Sequence, residues 1–160
     1  MKTIKALTED FLSQKTIAVV GISLRKQTVA NGVYKKLKSE KRTVFPIGRN
    51  TEIFENEKCF SSLSDLPQKV DGVFIAANKE NIEQTIRECI SLSIPRIWIH
   101  NAGGITKTPD ISLELLSECK NKSITIIPGA CPMMFVDNAD FGHKCMKWVL
   151  AAMGKMKMRE

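Results

Sequence analysis

Short apolar runs alternate with longer amphipathic segments along most of the chain. The runs are rich in Val, Ile and Phe and show little apolar–polar alternation, which is typical of strands buried on both faces of a parallel sheet. Strands that alternate with helical segments indicate βαβ units. The pattern predicts five strands, over residues 16–20, 43–47, 72–76, 96–100 and 123–127.

Between these runs, apolar residues recur at helical spacing. The sequence predicts an opening helix over residues 8–13, with Thr8 as its N-cap, and a later helix over residues 109–119 that follows a turn-prone Thr-Pro-Asp. Gly32 falls inside one helical segment, where it would allow close packing on a strand. Two apolar stripes mark the helices between them: Val29, Val33 and Leu37, then Ile82, Ile86 and Ile90.

A last helix is predicted over residues 140–153. It carries Phe141, Cys145 and Trp148 on one face. We expect this face to pack on the sheet, with a dimer interface as the alternative and membrane association the least favoured. For the chain as a whole, a homodimer or a partner protein is a possible assembly.

These elements predict an α/β fold, a Rossmann-like open parallel five-stranded sheet with helices on both faces. At 160 residues and 43% hydrophobic, the chain has the length for one ordinary core. We therefore expect a single domain over residues 1–160, with its core at about 16–134.

Cysteine usage and hydropathy indicate the compartment. The five cysteines are scattered, odd in number and without a C-x-x-C pair, which argues against a disulfide framework or a zinc site and favours reduced thiols in a cytoplasm. Acidic residues such as Glu9 and Asp10 interrupt any signal-peptide core. Apolar runs of about 18 residues, which a membrane helix needs, do not occur.

The net charge of +7, from 24 basic and 17 acidic residues, invites comparison with nucleic-acid-binding proteins. The basic residues cluster around 35–42 and 144–159, but aromatic residues do not alternate with them, Trp148 being the single one in these stretches, and no known RNA- or DNA-binding motif occurs. Solvated helix faces are the favoured interpretation. A small anionic ligand could use the same field without nucleic acid.

Small and short polar residues follow each predicted strand. Ligands of open parallel sheets bind outside the carboxyl ends of the strands, where the strand order reverses. All five segments belong to that edge, which predicts a crevice there. The segments are Gly21-Ile22-Ser23-Leu24, Pro46-Ile47-Gly48-Arg49-Asn50, Ala76-Ala77-Asn78, His100-Asn101-Ala102-Gly103-Gly104 and Pro128-Gly129-Ala130-Cys131-Pro132.

The first of these segments is a phosphate-binding candidate, although it has one glycine where a dinucleotide fold has three. Gly21 has no Cβ and could lie against a phosphate, and the following helix N-terminus offers free N–H groups. Ser23 could contact phosphate or simply cap that helix. The loop is longer than a three-glycine turn and carries Arg25 and Lys26. A Walker motif does not occur, so no motif supports ATP hydrolysis.

The second segment distinguishes between nucleotide cofactors. NAD-binding folds place an acidic residue there to hold the ribose diol, whereas this chain has Arg49. A guanidinium suits a phosphorylated ribose, which coenzyme A and NADP both contain. NAD is therefore disfavoured.

From Thr16 to Met134 the chain resembles the CoA-binding domain family, whose Rossmann-like fold also forms the N-terminal domain of the succinyl-CoA synthetase α subunit. The motifs are Val20-Gly21-Ile22-Ser23, Val44-Phe45-Pro46-Ile47 with Arg49, Ser62-Leu63-Ser64-Asp65-Leu66-Pro67 before Val70-Asp71-Gly72-Val73, Ile97-Trp98-Ile99-His100, and Cys131-Pro132-Met133. The sequence departs from the family pattern at Phe45, where asparagine is commoner, and at His100, where glutamine is often found.

The resemblance implies coenzyme A bound across the strand tips, with a single glycine and a longer loop in place of the three-glycine turn. It assigns Gly21, Ile22 and Ser23 to the pyrophosphate, Pro46, Ile47, Gly48 and Arg49 to the adenosine and its 3′-phosphate, and Ala76, Ala77 and Asn78 to the path beyond. The synthetase's catalytic histidine lies in a domain that this chain lacks, so ligase chemistry is not implied.

Two further residues could take part in chemistry. His100 could be a base, but a pocket-lining role is favoured; His143 is expected at the surface. Cys131 could form a mixed disulfide with the CoA thiol, but a small buried hydrophobe is favoured. The sequence thus predicts a module that binds CoA or acyl-CoA without catalysis. An NADP-dependent oxidoreductase is the alternative.

Overall fold

The computed structural model describes residues 3–100, 111–129 and 131–135. Their main sheet has five parallel strands in the order β2-β1-β5-β6-β7. This confirms the α/β, Rossmann-like prediction. The strands of the main sheet are β1 (Thr16–Val20), β2 (Thr43–Ile47), β5 (Gly72–Ile75), β6 (Arg96–Ile99) and β7 (Thr125–Pro128).

The strands lack alternation because both faces of the sheet are covered. In β1, Ile17 and Val19 belong to one hydrophobic core, whereas Ala18 and Val20 belong to the other. Successive side chains of a strand point to opposite faces, so all four positions must be apolar.

Within the described ranges, two helices cover each face. On one face lie α1 (Ile4–Leu12) and α2 (Val29–Ser39), and on the other α3 (Lys79–Ser91) and α4 (Leu113–Asn121). Trp98 is fully buried on the first face, where its ring meets Phe11 edge-on at 5.3 Å between centroids.

Several helix predictions need correction. The first helix begins at Ile4 with Thr3 as its N-cap, since Thr8 is fully buried inside it and donates its hydroxyl proton to the Lys5 carbonyl. Within the described residues, α4 starts at Leu113, capped by Ser112.

The predicted strand ends also need correction. Residues 76, 100 and 123–124 fall outside the strands, and β7 extends instead to Pro128.

Two positions on α2 also differ from expectation. A Cβ on Gly32 would meet no atom within 4 Å, so this glycine serves no close packing. Val29 is 40% exposed, and the buried face of the helix consists of Ala30, Val33, Tyr34 and Leu37 with Asn31.

A short hairpin after β2 was not predicted. Strands β3 (Ile53–Phe54) and β4 (Glu57–Lys58) pair antiparallel, and Phe54 packs edge-on against Tyr34 of α2. Beyond it, Phe60 forms a single parallel bridge to Ile47 at the outer edge of β2. The chain then forms a 3₁₀ turn at Leu63–Asp65, which leads to β5.

The basic cluster on α2 is matched by nearby acids. Lys35 pairs with Glu55 at 3.0 Å, and Lys38 pairs with Glu57, both in the hairpin. Glu40 pairs with Lys36 at 3.5 Å and with Arg42 at 3.2 Å. Much of this cluster therefore fixes the hairpin and the end of the helix through ion pairs.

None of the helices in the described part of the chain is both long and apolar enough to cross a membrane. The predicted helix over 140–153, His143 and the basic cluster at 144–159 lie outside the described residues.

Candidate functional site

A cleft of about 600 Å³ opens at the carboxyl edge of the sheet. It lies where β1 has β2 on one side and β5 on the other, which is the point where the strand order reverses. Every predicted site residue except Pro46 lines it: Gly21, Ile22, Ser23, Arg25, Ile47, Gly48, Arg49, Ala76, Ala77, Asn78 and His100.

Pro46 lies behind this wall, buried within β2. It is paired with Val19, and its carbonyl accepts the N–H of Phe60 at 2.9 Å. Pro46 therefore fixes the segment after the hairpin against the sheet and does not face the cleft.

Gly21 is required by the close approach of two strand ends. Its φ is +110°, and a Cβ there would lie 2.1 Å from the carbonyl oxygen of Ala76. The absent side chain thus makes room for β5's loop, not only for a ligand. A similar approach occurs at Gly48, where a Cβ would lie 2.5 Å from the Ile22 carbonyl oxygen.

Asn31 organises the loop between β1 and α2. Its side-chain oxygen accepts the N–H of Ser23 at 3.1 Å, and its amide donates to the Ser23 carbonyl at 2.7 Å. Asn31 is only 3% exposed. This buried side chain gives the loop a defined shape without further glycines.

The N-cap of α2 is Thr28, which corrects the alternative that Ser23 caps the helix. The hydroxyl oxygen of Thr28 accepts the N–H of Asn31 at 3.1 Å and lies 3.0 Å from the Gly21 carbonyl oxygen. The hydroxyl of Ser23 accepts the N–H of Arg25 at 3.2 Å, within the loop itself. Thr28 and Val29 line the cleft, so the positive end of α2 faces it.

Helix α3 supplies a wall of the cleft that the sequence did not reveal. Gln84 accepts a hydrogen bond from the Arg49 guanidinium, and one turn later Glu88 accepts the N–H of Leu63 at 2.8 Å. The 61–63 segment also lines the cleft, although the sequence marked Ser62 and Leu63 only as part of a family motif.

The charge along the lining is predominantly positive. Arg25, Lys26 and Arg49 are cationic and exposed, whereas Glu88 is the acidic residue of the described lining. Since the Glu88 carboxylate is engaged by a backbone N–H, the site favours an anionic ligand. No group of three His, Cys, Asp or Glu residues in the described ranges is placed to hold a metal ion.

His100 and Cys131 have different positions. His100 lines the cleft, and its backbone N–H donates to the Ile75 carbonyl at 2.8 Å. The centroid of its ring lies 6.3 Å from that of Phe74. Cys131 is half-buried, packs against the core of the α1 and α2 face and is not among the residues of the cleft lining. This position fits the interpretation of Cys131 as a small hydrophobe.

Known proteins share this sequence pattern. A family model described as a CoA binding domain matches residues 15–137. The acetate–CoA ligase (ADP-forming) II subunit alpha of Pyrococcus furiosus is 29% identical over 94 residues, which cover 58% of this chain and 21% of that protein. The matched part is thus about a fifth of the curated relative.

Solved structures share the fold. A hypothetical protein from Pyrococcus horikoshii superposes with a TM-score of 0.69 at 22% identity, covering 83% of this chain and 92% of that one. The dinucleotide forming acetyl-coenzyme A synthetase 1 of Ca. Korarchaeum cryptofilum, in complex with phosphate and ADP, gives a TM-score of 0.62 at 22% identity. The overlap covers 72% of this chain and 25% of the synthetase.

Proposed function

Because the chain belongs to the CoA binding domain family, we propose that it binds coenzyme A or an acyl-CoA at the carboxyl edge of its sheet. The observation that carries the proposal is that Gly21 and Arg49, from two different strand ends, line one cleft. A ligand that occupies it can meet the helix terminus and the guanidinium at once. A nucleotide with a diphosphate and a separate ribose phosphate has the anionic groups for both.

The ligand's parts are assigned as follows. The diphosphate lies at Gly21, Ile22 and Ser23, close to the N-terminus of α2 and the cation of Arg25. The adenosine and its 3′-phosphate lie at Ile47, Gly48 and Arg49, with Pro46 supporting this wall from behind. The rest of the cofactor passes Ala76, Ala77 and Asn78 toward His100.

We propose that the chain is a binding module without catalysis of its own. The hydrogen bonds of Ser23 and Glu88 to backbone groups support this reading, because both side chains help to build the walls of the cleft. The curated relative is named as a subunit, which supports a partner protein, or a second copy, as the user of the bound cofactor. Nucleic acid is not proposed as a partner, given the ion pairs that occupy the basic cluster on α2.

A cytoplasmic location is part of the proposal. The four cysteines in the described ranges form no disulfides with one another, and unlinked thiols are usual in a reducing compartment.

Calorimetric titration of the full chain with CoA, dephospho-CoA, NADP and NAD tests the proposal. We expect saturable 1:1 binding of CoA, weaker binding of dephospho-CoA and still weaker binding of both nicotinamide cofactors. NADP binding more tightly than CoA would favour an oxidoreductase. An absence of CoA binding would refute the proposed function.

A further inference from the structure

Gln84 lies at the centre of α3 and contacts Arg49 from the other side of the cleft. Its side-chain oxygen accepts a hydrogen bond from Nη2 of Arg49, a residue 35 positions earlier in the chain. Both side chains line the cleft. The bond therefore connects the loop after β2 with the helix after β5.

The backbone beside Arg49 is already fixed by other contacts. The N–H of Gly48 donates to the Phe60 carbonyl at 3.0 Å, and the N–H of Thr51 donates to the Gly48 carbonyl at 3.3 Å. The freedom that remains in this loop belongs to the long side chain of Arg49, which is exposed. Ordering a side chain of this kind costs about 2 kcal/mol of rotamer entropy, so a second contact at its far end matters for binding.

The chemistry of the acceptor at position 84 is also significant. A glutamine oxygen occupies one of the five N–H groups of a guanidinium and leaves its positive charge intact. A glutamate at the same position would orient Arg49 as well, but it would neutralise the charge and repel a phosphate. The acidic residue of α3 that lines the cleft is Glu88, one turn away, where it accepts the N–H of Leu63.

We propose that Gln84 is a positioning residue, which holds the Arg49 guanidinium toward a phosphate monoester on the ligand's ribose. It thereby raises the preference for ligands that carry this phosphate. The inference rests on the proposed function, since it assumes a ribose-phosphorylated nucleotide in the cleft. It goes beyond that function because Gln84 itself need not touch the ligand.

The test measures Kd for CoA and for dephospho-CoA with the full chain and its Gln84→Ala and Gln84→Glu variants. Because both side chains are exposed, we assign this hydrogen bond about 1 kcal/mol, or about fivefold in affinity. We therefore expect Gln84→Ala to weaken CoA binding about fivefold and to change dephospho-CoA binding less than about twofold. Gln84→Glu should weaken CoA binding further, because it adds a negative charge.

Two controls separate positioning from a general effect on the cleft. Gln68 is exposed and is not part of the cleft lining, so Gln68→Ala should change neither affinity. In an Arg49→Ala background, Gln84→Ala should have no further effect on CoA binding, because its consequence passes through Arg49.

Other outcomes would overturn the inference. Equal losses for both ligands would show that Gln84 only shapes the wall, and tighter CoA binding in Gln84→Ala would show that the bond withholds Arg49 from the ligand. In both cases the wild-type chain still binds CoA and the proposed function stands. Failure of the wild-type chain to bind CoA would refute both.

Discussion

Gly21 and Ala76 meet where β1 and β5 end, so closely that a Cβ on Gly21 would lie 2.1 Å from the Ala76 carbonyl oxygen. The two loops can leave adjacent strands side by side only because one of them has no side chain at this point. The contact lies at the reversal of strand order, and both residues line the cleft. A single glycine here has a structural purpose that does not depend on a ligand.

Substitution of Gly21 should therefore destabilise the fold. Gly21→Ala combines a steric overlap with a φ of +110° that alanine rarely adopts, and we expect a loss of about 2 kcal/mol or more in the free energy of unfolding. Urea denaturation measures it. The matched variant Gly32→Ala, at an open helix position, should instead stabilise by about 1 kcal/mol. Equal effects at the two sites would contradict the geometry.

Arg49 should distinguish ligands by their ribose phosphate. Hydrogen bonds to charged groups contribute about 1.5–3 kcal/mol, so Arg49→Ala should weaken CoA binding by about tenfold or more and leave dephospho-CoA binding nearly unchanged. Calorimetry with both ligands measures the ratio. Arg87→Ala removes the same charge from an exposed position on α3 outside the cleft lining and should preserve the ratio. An equal loss of affinity for both ligands would show that Arg49 does not contact the 3′-phosphate.

Substitution of Asn31 should weaken the binding of CoA and of dephospho-CoA to a similar extent. Asn31→Ala removes the hydrogen bonds that hold Ser23, and loss of a buried polar partner costs about 1–3 kcal/mol in stability. Since the proposed function assigns this loop to the diphosphate that CoA and dephospho-CoA share, both affinities should fall together. Denaturation and calorimetry measure the two effects, with Asn121→Ala, at the exposed end of α4, as the control. Selective loss of CoA binding would contradict this assignment.

Glu57 should make the docking of the hairpin depend on pH. The hydrogen bond from Lys38 lowers the pKa of Glu57, and the hydroxyl of Tyr34, which donates to Glu57 at 2.9 Å, contributes in the same direction. A lowered folded-state pKa means that the stabilisation is present above the unfolded value, near pH 4, and is lost as the pH falls through the folded value. Because Lys38 and Glu57 are both partly exposed, we expect a contribution of no more than about 1 kcal/mol.

The comparison of wild type with Glu57→Gln in urea measures this contribution. The variant should be less stable at pH 7, and the difference should shrink toward pH 3. Glu52→Gln, an exposed position in the same segment, should stay within about 0.5 kcal/mol of wild type. A difference that persists at pH 3 would assign the effect to something other than the carboxylate charge.

The cysteines should react at different rates. Burial raises the pKa of the thiols of Cys89 and Cys119, which lie in the core beneath α3 and α4. Cys131 is half-buried, so among the four cysteines in the described ranges it should be alkylated first by iodoacetamide. Peptide mass spectrometry after timed exposure measures the order. Faster labelling of Cys89 would indicate that the α3 and α4 layer opens readily.

The sheet could be predicted from the sequence because strands buried on both faces must be apolar at nearly every position, which makes them recognisable as continuous apolar runs. β1 and β2 begin and end where the apolar runs do. The hairpin could not be predicted in this way, since each of its strands has two residues. Its turn has Glu55 and Asn56 at positive φ. Of these two, only Asn56 is a residue type that commonly marks such a turn in a sequence.

The cleft could be predicted on the side of the strand ends but not on the side of the helix. Glycine and small residues after a strand mark a close approach, as at Gly21 and Gly48. Gln84 and Glu88 occupy a polar helix face, which resembles a solvated surface in any sequence. The hydrogen bonds of Gln84 to Arg49 and of Glu88 to Leu63 show that this face lines the cleft.

The order of the strands also bears on how the protein is made. β1 has as neighbours two strands that are synthesised after it, β2 and, much later, β5. A nascent chain that has emerged only as far as the hairpin can form one wall of the cleft, whereas the opposite wall needs β5 and α3, which are synthesised later. Domains fold amino terminus first during synthesis, so the cleft lacks one of its walls until α3 has docked. In the proposed binding mode, the cofactor would therefore stabilise the nearly finished domain and would not guide the earliest strand pairing.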